Sequence, residues 1–334
     1  MQPERLDQIV ALFPHKQILI AGDLMLDEFV WGRVSRISPE APVPVVEVLR
    51  ESQFPGGAAN VARNVRTCGA RTIMMGALGE DSHGARLKDL LRGEKIELDG
   101  VVELSGYQTI VKTRIIARHQ QVVRVDREVV LEPSDEVRQR CLKQLDQLLP
   151  DLDAVILEDY GKGFLTQSLV DEIVAQVRRA GKIVTADPNT RNPLVWRGLT
   201  AIKPNRAEAF AAAEERYSEP GPDPLHDKAL LRVGATLLKR WAPEQLLITL
   251  GEQGMLLLQS NAEAYHVPSR AREIYDVSGA GDTAIAFLSL ALAAGANPIE
   301  AAEISNHASG VAVAKLGTAK VSLEELRESF RART

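Results

Sequence analysis

Short apolar runs alternate with amphipathic stretches along most of this chain, and that alternation limits its fold more than any other feature. Ile18–Ala21 is apolar and ends in Gly22-Asp23; Ala59–Thr67 reads as a helix and Thr72–Met75 as the next run. Helical periodicity follows in Ser82–Leu91 and Glu136–Leu149. Ala154–Leu157 is a buried strand, with Asp159 and Gly161 just beyond it. Then come helix Ser168–Arg179, strand Ile183–Ala186, the very short strand Ala201–Lys203, helices Arg206–Ala213 and Leu231–Arg240, and strand Leu246–Leu250. Such alternation implies a mostly parallel sheet with helices on both faces, a three-layer α/β/α body. Ligands of such sheets sit beyond the carboxyl ends of the strands. With 334 residues, the chain buries a sizeable core without disulfide or metal staples.

Two segments break the rhythm. Phe29–Leu49 carries Pro39, Pro42 and Pro44 and the strand-like run Val43–Val48; Thr109–Asp126 is β-rich as well. Both lack an intervening helix and read as a small inserted sheet, a lid or a dimer surface beside the ligand site. Its open edges favour burial against a second copy, so a homodimer is expected. Glu214–Asp227, rich in proline and acids, reads as an exposed loop.

Composition closes off several classes. The net charge is −5, no block of five like charges occurs and aromatics are 4%, which excludes a basic nucleic-acid platform. Cys68 and Cys141 stand in no metal or redox spacing and read as thiols of a reducing compartment. The apolar stretch Ala284–Ala296 is shorter than the ~20 residues of a membrane span and reads as a core helix. With no secretory leader pattern, a cytoplasmic protein is expected.

The chemistry concentrates in Asp276-Val-Ser-Gly-Ala-Gly-Asp282-Thr283, directly before that helix. Gly279 and Gly281 open the backbone N–H groups to close approach, and the helix start adds a positive end: an anion site. Asp282 beside it makes sense as a group that takes a proton next to developing negative charge. Gly56-Gly57-Ala58-Ala59-Asn60 precedes another helix, where Asn60 suits a sugar hydroxyl. Asp23 at a strand end suits vicinal hydroxyls. Lys203-Pro204-Asn205 with Glu208 places an amide and an acid on one helical turn, suited to a phosphate–magnesium group. Each of these also reads as ordinary turn and cap chemistry. There is no Walker A pattern, protein-kinase set, GxSxG or HExxH, and no GxGxxG opens the first unit.

In this order, the elements resemble the ribokinase-like (PfkB) carbohydrate kinases over essentially the whole chain. Gly56-Gly57 with Asn60 is similar to that family's N-terminal signature, and Asp276–Thr283 to its C-terminal one. Arg33–Val45, Arg118–Asp126 and Glu158–Gly163 resemble more narrowly the heptose-phosphate kinases of lipopolysaccharide core synthesis. The resemblance implies one ribokinase-like domain over 1–334, with lid segments at about 29–49 and 109–126, and a stand-alone kinase. It also implies ATP-dependent phosphorylation of D-glycero-β-D-manno-heptose 7-phosphate at O1.

The roles it implies follow position by position. Asp282 is the base, with an ordinary carboxyl pKa near ~3.9. The N–H groups of Gly279, Ala280 and Gly281 form the anion hole. Asp23, Gly56, Gly57 and Asn60 hold the sugar, and Lys162 and Arg118 are candidates for its phosphate, a dianion that needs cationic partners. Asn205 and Glu208 lie near the phosphates and Mg²⁺, while Thr249, Gly251, Gly254 and Asn306 belong to the nucleotide. Asp276 and Ser278, with carbonyls from around 313–317, match the potassium loop of many relatives. The alternatives are a kinase of the same fold acting on ribose, fructose, a fructose phosphate or a nucleoside, or a non-catalytic sugar-binding regulator.

Overall fold

The computed structural model describes residues 1–117, 120–270, 277–315 and 320–331. Its first half comprises α1 (Pro3–Val10), β1 (Gln17–Gly22), β2 (Leu24–Ile37), β3 (Pro44–Gly57), α2 (Ala58–Thr67), β4 (Arg71–Gly79), α3 (Ser82–Gly93), β5 (Glu97–Leu104), β6 (Ile110–Ala117), β7 (Gln120–Arg127) and α4 (Asp135–Leu148). The second half comprises β8 (Ala154–Glu158), α5 (Gln167–Arg179), β9 (Ile183–Asp187), β10 (Ala201–Ile202), α6 (Arg206–Ala212), α7 (Lys228–Trp241), β11 (Gln245–Thr249), β12 (Met255–Leu258), β13 (Tyr265–Val267), α8 (Ala280–Ala293), α9 (Pro298–Val313) and α10 (Leu323–Arg331).

Nine strands form the large sheet in the order β13-β12-β11-β10-β9-β8-β1-β4-β5. Pairing is parallel from β5 to β11 and antiparallel for β12 and β13. The alternation of side chains along a strand divides the core in two. Ile18 and Ile20 of β1 pack with α1, α2, α8 and α9, while Leu19 and Ala21 pack with α4, α5, α6 and α7. Helices therefore cover both faces, the three layers expected from the alternation.

The second sheet has the order β3-β2-β6-β7. The described parts of 29–49 and 109–126 contribute to it, but its strands run further than the apolar pattern suggested. β2 starts at Leu24, and β3 continues to Gly57. The Gly56-Gly57 pair therefore ends a strand of the small sheet and leads straight into α2. Strands β12 and β13 and helix α1 were not legible; they are short, and β12 and β13 sit antiparallel at the sheet edge. Cys68 and Cys141 are buried and free. Among the described residues, no helix is long and apolar enough to cross a membrane.

Candidate active site

Strand ends and loops at one end of the large sheet wall a cleft of about 550 Å³. Glu158 and Asp159 follow β8, Asp187 ends β9, and Lys203 follows β10. Asn205 and Glu208 start α6, Thr249 and Gly251 follow β11, and Gly281 and Asp282 start α8. The cleft thus lies where a parallel sheet presents its ligands.

Helix α8 starts at Ala280, earlier than the apolar stretch suggested, with Gly279 at φ +79° as its N-cap. That left-handed conformation is the one glycine adopts without strain. Asp282 consequently stands in the first turn, among the backbone N–H groups that have no partner within the helix. One of the three expected anion-hole donors is engaged: the Ala280 N–H points to the Val277 carbonyl at 3.3 Å. Gly281 lies beside the buried pair formed by Lys203 Nζ and Asp187 Oδ2, 2.8 Å apart.

Asp282 is held from two sides. Asn60 Nδ2 donates to Oδ2 at 2.7 Å, and the Tyr160 phenol donates to Oδ1 at 2.6 Å. The expectation of an ordinary carboxyl is corrected here. Burial raises its pKa, while the bonds from Tyr160 and Asn60 and the charge of Lys203 pull it back. The whole cluster shows the same tension. Burial, then the charges of Asp187 and Asp282, lift Glu158 well above its usual range. Burial also lifts Asp187 and pushes Asp159 up to about 7. Burial works against the Lys203 ammonium, but Asp187 outweighs it, and the lysine stays cationic. The wall is rich in carboxylates short of positive charge, an arrangement typical of functional clefts.

Several sequence-derived roles change. Asn60 is fully buried, off the cleft lining, and donates to Asp282. Asp23 does not face open hydroxyls: its carboxylate accepts the backbone N–H groups of Tyr160, Lys162 and Phe164 at 2.9, 3.0 and 3.1 Å. Gly56 makes room for Asp27, since a Cβ there would sit 2.4 Å from Asp27 Oδ2; Gly57, at φ +58°, is the turn into α2. Lys162 is buried and bound to Glu128 Oε1 at 2.6 Å, while Lys112 lies 3.6 Å from the same carboxylate. Arg118 and Asp276 lie outside the described residues, as does part of the 313–317 segment. Ser278 precedes the N-cap of α8.

Asn205 and Glu208 serve both of their readings. They form a reciprocal cap on α6, Asn205 Oδ1 accepting from the Glu208 N–H and Glu208 Oε2 from the Asn205 N–H, and both line the cleft. Thr249 and Gly251 line it too. Gly254 and Asn306 do not: a Cβ at Gly254 would meet the Val267 carbonyl at 2.1 Å, and Asn306 donates to the Pro268 carbonyl at 2.8 Å. The loop before α7 is more than an exposed connection, because its Tyr217 and Pro220 reach the cleft and its Asp227 pairs with Arg206 at 2.6 Å. Sequence reasoning assigned no role to Tyr160, Asp187 or Lys203. The signal available was that each lies at, or just beyond, the carboxyl end of a strand.

A divalent cation fits this wall chemically. Asn205 and Glu208 are hard oxygen donors on the cleft. Among the described residues, no three His, Cys, Asp or Glu side chains converge into a cage. A hard divalent ion takes one or two carboxylates and completes its shell with water and phosphate oxygens.

The pfkB family carbohydrate kinase model matches residues 16–326. The chain is 41% identical over 322 residues to a protein of Desulfatibacillum aliphaticivorans named bifunctional protein HldE, covering 96% of this chain and 64% of that protein. A protein of the same name from Magnetococcus marinus is 41% identical over 325 residues, covering 96% of this chain and 65% of its own length. The chain therefore spans just under two thirds of these relatives. Among solved structures, Arabidopsis thaliana ribokinase complexed with ribose and ATP aligns with a TM-score of 0.72 at 17% identity, over 95% of this chain and 99% of that one. Phosphofructokinase-2 from Escherichia coli in complex with substrates and products aligns with 0.74 at 17% identity, over 95% and 98%. The two structures share the fold, and with the match over residues 16–326 the conclusion follows that the chain belongs to the pfkB family of carbohydrate kinases, ATP-dependent sugar kinases.

Proposed function

We propose that this chain transfers the γ-phosphoryl group of ATP to O1 of D-glycero-β-D-manno-heptose 7-phosphate, yielding the 1,7-bisphosphate, a step toward ADP-heptose for the lipopolysaccharide core. The observation that carries the reaction type is Asp282, fixed by Asn60 and Tyr160 at the start of α8, beside the glycine N–H groups. The sugar assignment is supported by the segments around Arg33–Val45 and Glu158–Gly163 and by relatives named HldE at 41% identity.

Phosphoryl transfer passes through a loose transition state with charge spread over the phosphoryl oxygens, so positioning and electrostatics supply most of the catalysis. Asp282 takes the proton of the attacking hydroxyl. That oxygen forms the new bond to the γ-phosphorus as the bond to the β,γ-bridging oxygen breaks, and ADP carries away the electron pair. The N–H groups of Gly279 and Gly281 face the transferred charge. Lys203, cationic and adjacent to Gly281, adds positive charge at the same point. Asn205 and Glu208 would hold a divalent cation, magnesium in this reading, which would offset phosphate charge. Thr249 and Gly251 border the nucleotide. Asp276 and Ser278 are proposed for a monovalent cation.

Lys162 and Arg118 are proposed for the 7-phosphate. Lys162 is held by Glu128 until the sugar phosphate competes for it. Two chains pair through the small sheet, whose outer positions leave Ile37, Val48, Leu49 and Val123 exposed. The proposed unit is a single kinase domain over 1–334 with the small sheet as its lid, working in the cytoplasm where ATP is supplied.

The test is ATP consumption with heptose 7-phosphate, ribose, fructose, fructose 6-phosphate and adenosine. Turnover with the heptose alone, with phosphate appearing at C1, is the expected result. Turnover with another member discards the heptose and keeps the kinase; turnover with none favours a sugar-binding regulator. A monomer on gel filtration at micromolar concentration refutes the dimer.

A further inference from the structure

The two bonds that hold Asp282 differ in where they come from. Asn60 is fully buried on α2 and does not wall the cleft, so Oδ2 faces the protein interior. Tyr160 does wall the cleft, and its phenol meets Oδ1. Oδ1 is therefore the oxygen on the substrate side, and Tyr160 is the group that orients it.

Tyr160 reaches that place through a tightly specified loop. The N–H groups of residues 160, 162 and 164 all converge on the Asp23 carboxylate, just past β1. The Gly161 N–H is bound to Asp159 Oδ1 at 2.7 Å. Gly161 and Gly163 take φ +65° and +94°, conformations a side chain would strain. One buried carboxylate thus organises five residues and sets one phenol against another carboxylate 122 positions away.

We infer that Tyr160 is a positioning residue of the phosphoryl transfer: its phenol holds Oδ1 of Asp282 toward the attacking hydroxyl, and Asp23 fixes the phenol by clamping its loop. The inference rests on Asp282 being the base. Tyr160 keeps its own proton throughout, since burial, followed by the charges of Asp282 and Glu158, lifts the phenol well above its usual range. It acts as a hydrogen-bond donor and not as an acid. Among the described residues, the other groups facing Asp282 include Asn60 on α2, Lys203 beyond β10, Asp27 on β2, Glu158 at the end of β8 and Asp187 at the end of β9.

Tyr160→Phe removes the donor and keeps the ring. Losing one donor to a carboxylate moves the acidic limb of the kcat/KM profile up by about one pH unit and lowers kcat about tenfold near neutrality, with the KM for ATP unchanged. Site-specific 3-fluorotyrosine at the same position, a stronger donor of nearly the same shape, moves the limb the other way. A purely structural tyrosine would lower Tm and leave both limbs where they were. An unmoved limb in either variant overturns the inference.

The same shift is readable without turnover. Carboxylate infrared bands of ¹³C-aspartate-labelled protein, minus those of Asp282→Asn protein, report the ionisation of this one group. Tyr160→Phe is expected to shift that titration upward. A shift without turnover of any sugar counts against the proposed substrates alone, whereas no shift counts against Tyr160.

Discussion

Replacing Asp159 by Asn measures what the acid-rich cleft costs the fold. Asp159 Oδ1 accepts the Gly161 N–H at 2.7 Å, while the buried Oδ2 makes no hydrogen bond of good geometry among the described residues. Burial first, and then the charge of Asp23, push the carboxyl from 3.8 up to about 7, against the bond from Gly161. An acid whose folded pKa is raised holds its proton better when folded. Its stabilising contribution is therefore fully present below the unfolded pKa and is lost as pH rises through the folded one. With a gap of about 3 units, ionisation costs about 4 kcal/mol at about pH 8 and about 2 kcal/mol at about pH 5. Asn cannot ionise and retains an acceptor for Gly161. Its NH₂ takes the place of Oδ2, at about 2 kcal/mol. The variant is thus expected to be more stable by about 2 kcal/mol at about pH 8 and equal to the parent near about pH 5. Urea unfolding followed by circular dichroism in chelator-treated buffer gives the two differences. The amide penalty cancels between the two pH values, so the change of about 2 kcal/mol is the decisive quantity. An identical difference at both pH values would falsify the reasoning.

Three further outcomes are expected. Asp282→Asn lowers kcat by about 10²- to 10⁴-fold with KM little changed, as loss of a positioned base does, and an unchanged kcat removes Asp282 from that role. Lys162→Ala raises the KM for the sugar phosphate about tenfold or more and spares that for ATP, because one charge-assisted contact is lost; wild-type KM for the sugar phosphate refutes the assignment. Gly163→Ala, whose Cβ would stand 2.0 Å from the Leu131 carbonyl at φ +94°, destabilises the protein. The expected loss is about 2 kcal/mol or more in urea titration, and an unchanged midpoint would show that the loop adapts freely.

How far the sequence could be read depended on whether the decisive interactions were local. Asn205 and Glu208 stand three residues apart, so their reciprocal cap follows from helical spacing. Gly279 and Asp282 also lie within one turn, and their place at a helix start was legible for the same reason. Asp23 was misread because a carboxylate at a strand end looks the same whether it faces a ligand or a loop. Its three donors come from residues 137 to 141 positions later in the chain. Asn60 was misread likewise, its partner lying 222 positions away.

Periodicity and spacing thus determined the layers, the strands that end at the cleft and the residue that stands at the start of α8, because a strand's burial alternation and a helix's first turn are written over a few neighbouring residues. Only the tertiary structure decided which groups hold Asp282, how the carboxylates of β8 and β9 meet Lys203, and that Tyr160 walls the cleft. Those contacts join segments far apart in the chain, and their charges and burial exist only once the sheet has brought the segments together.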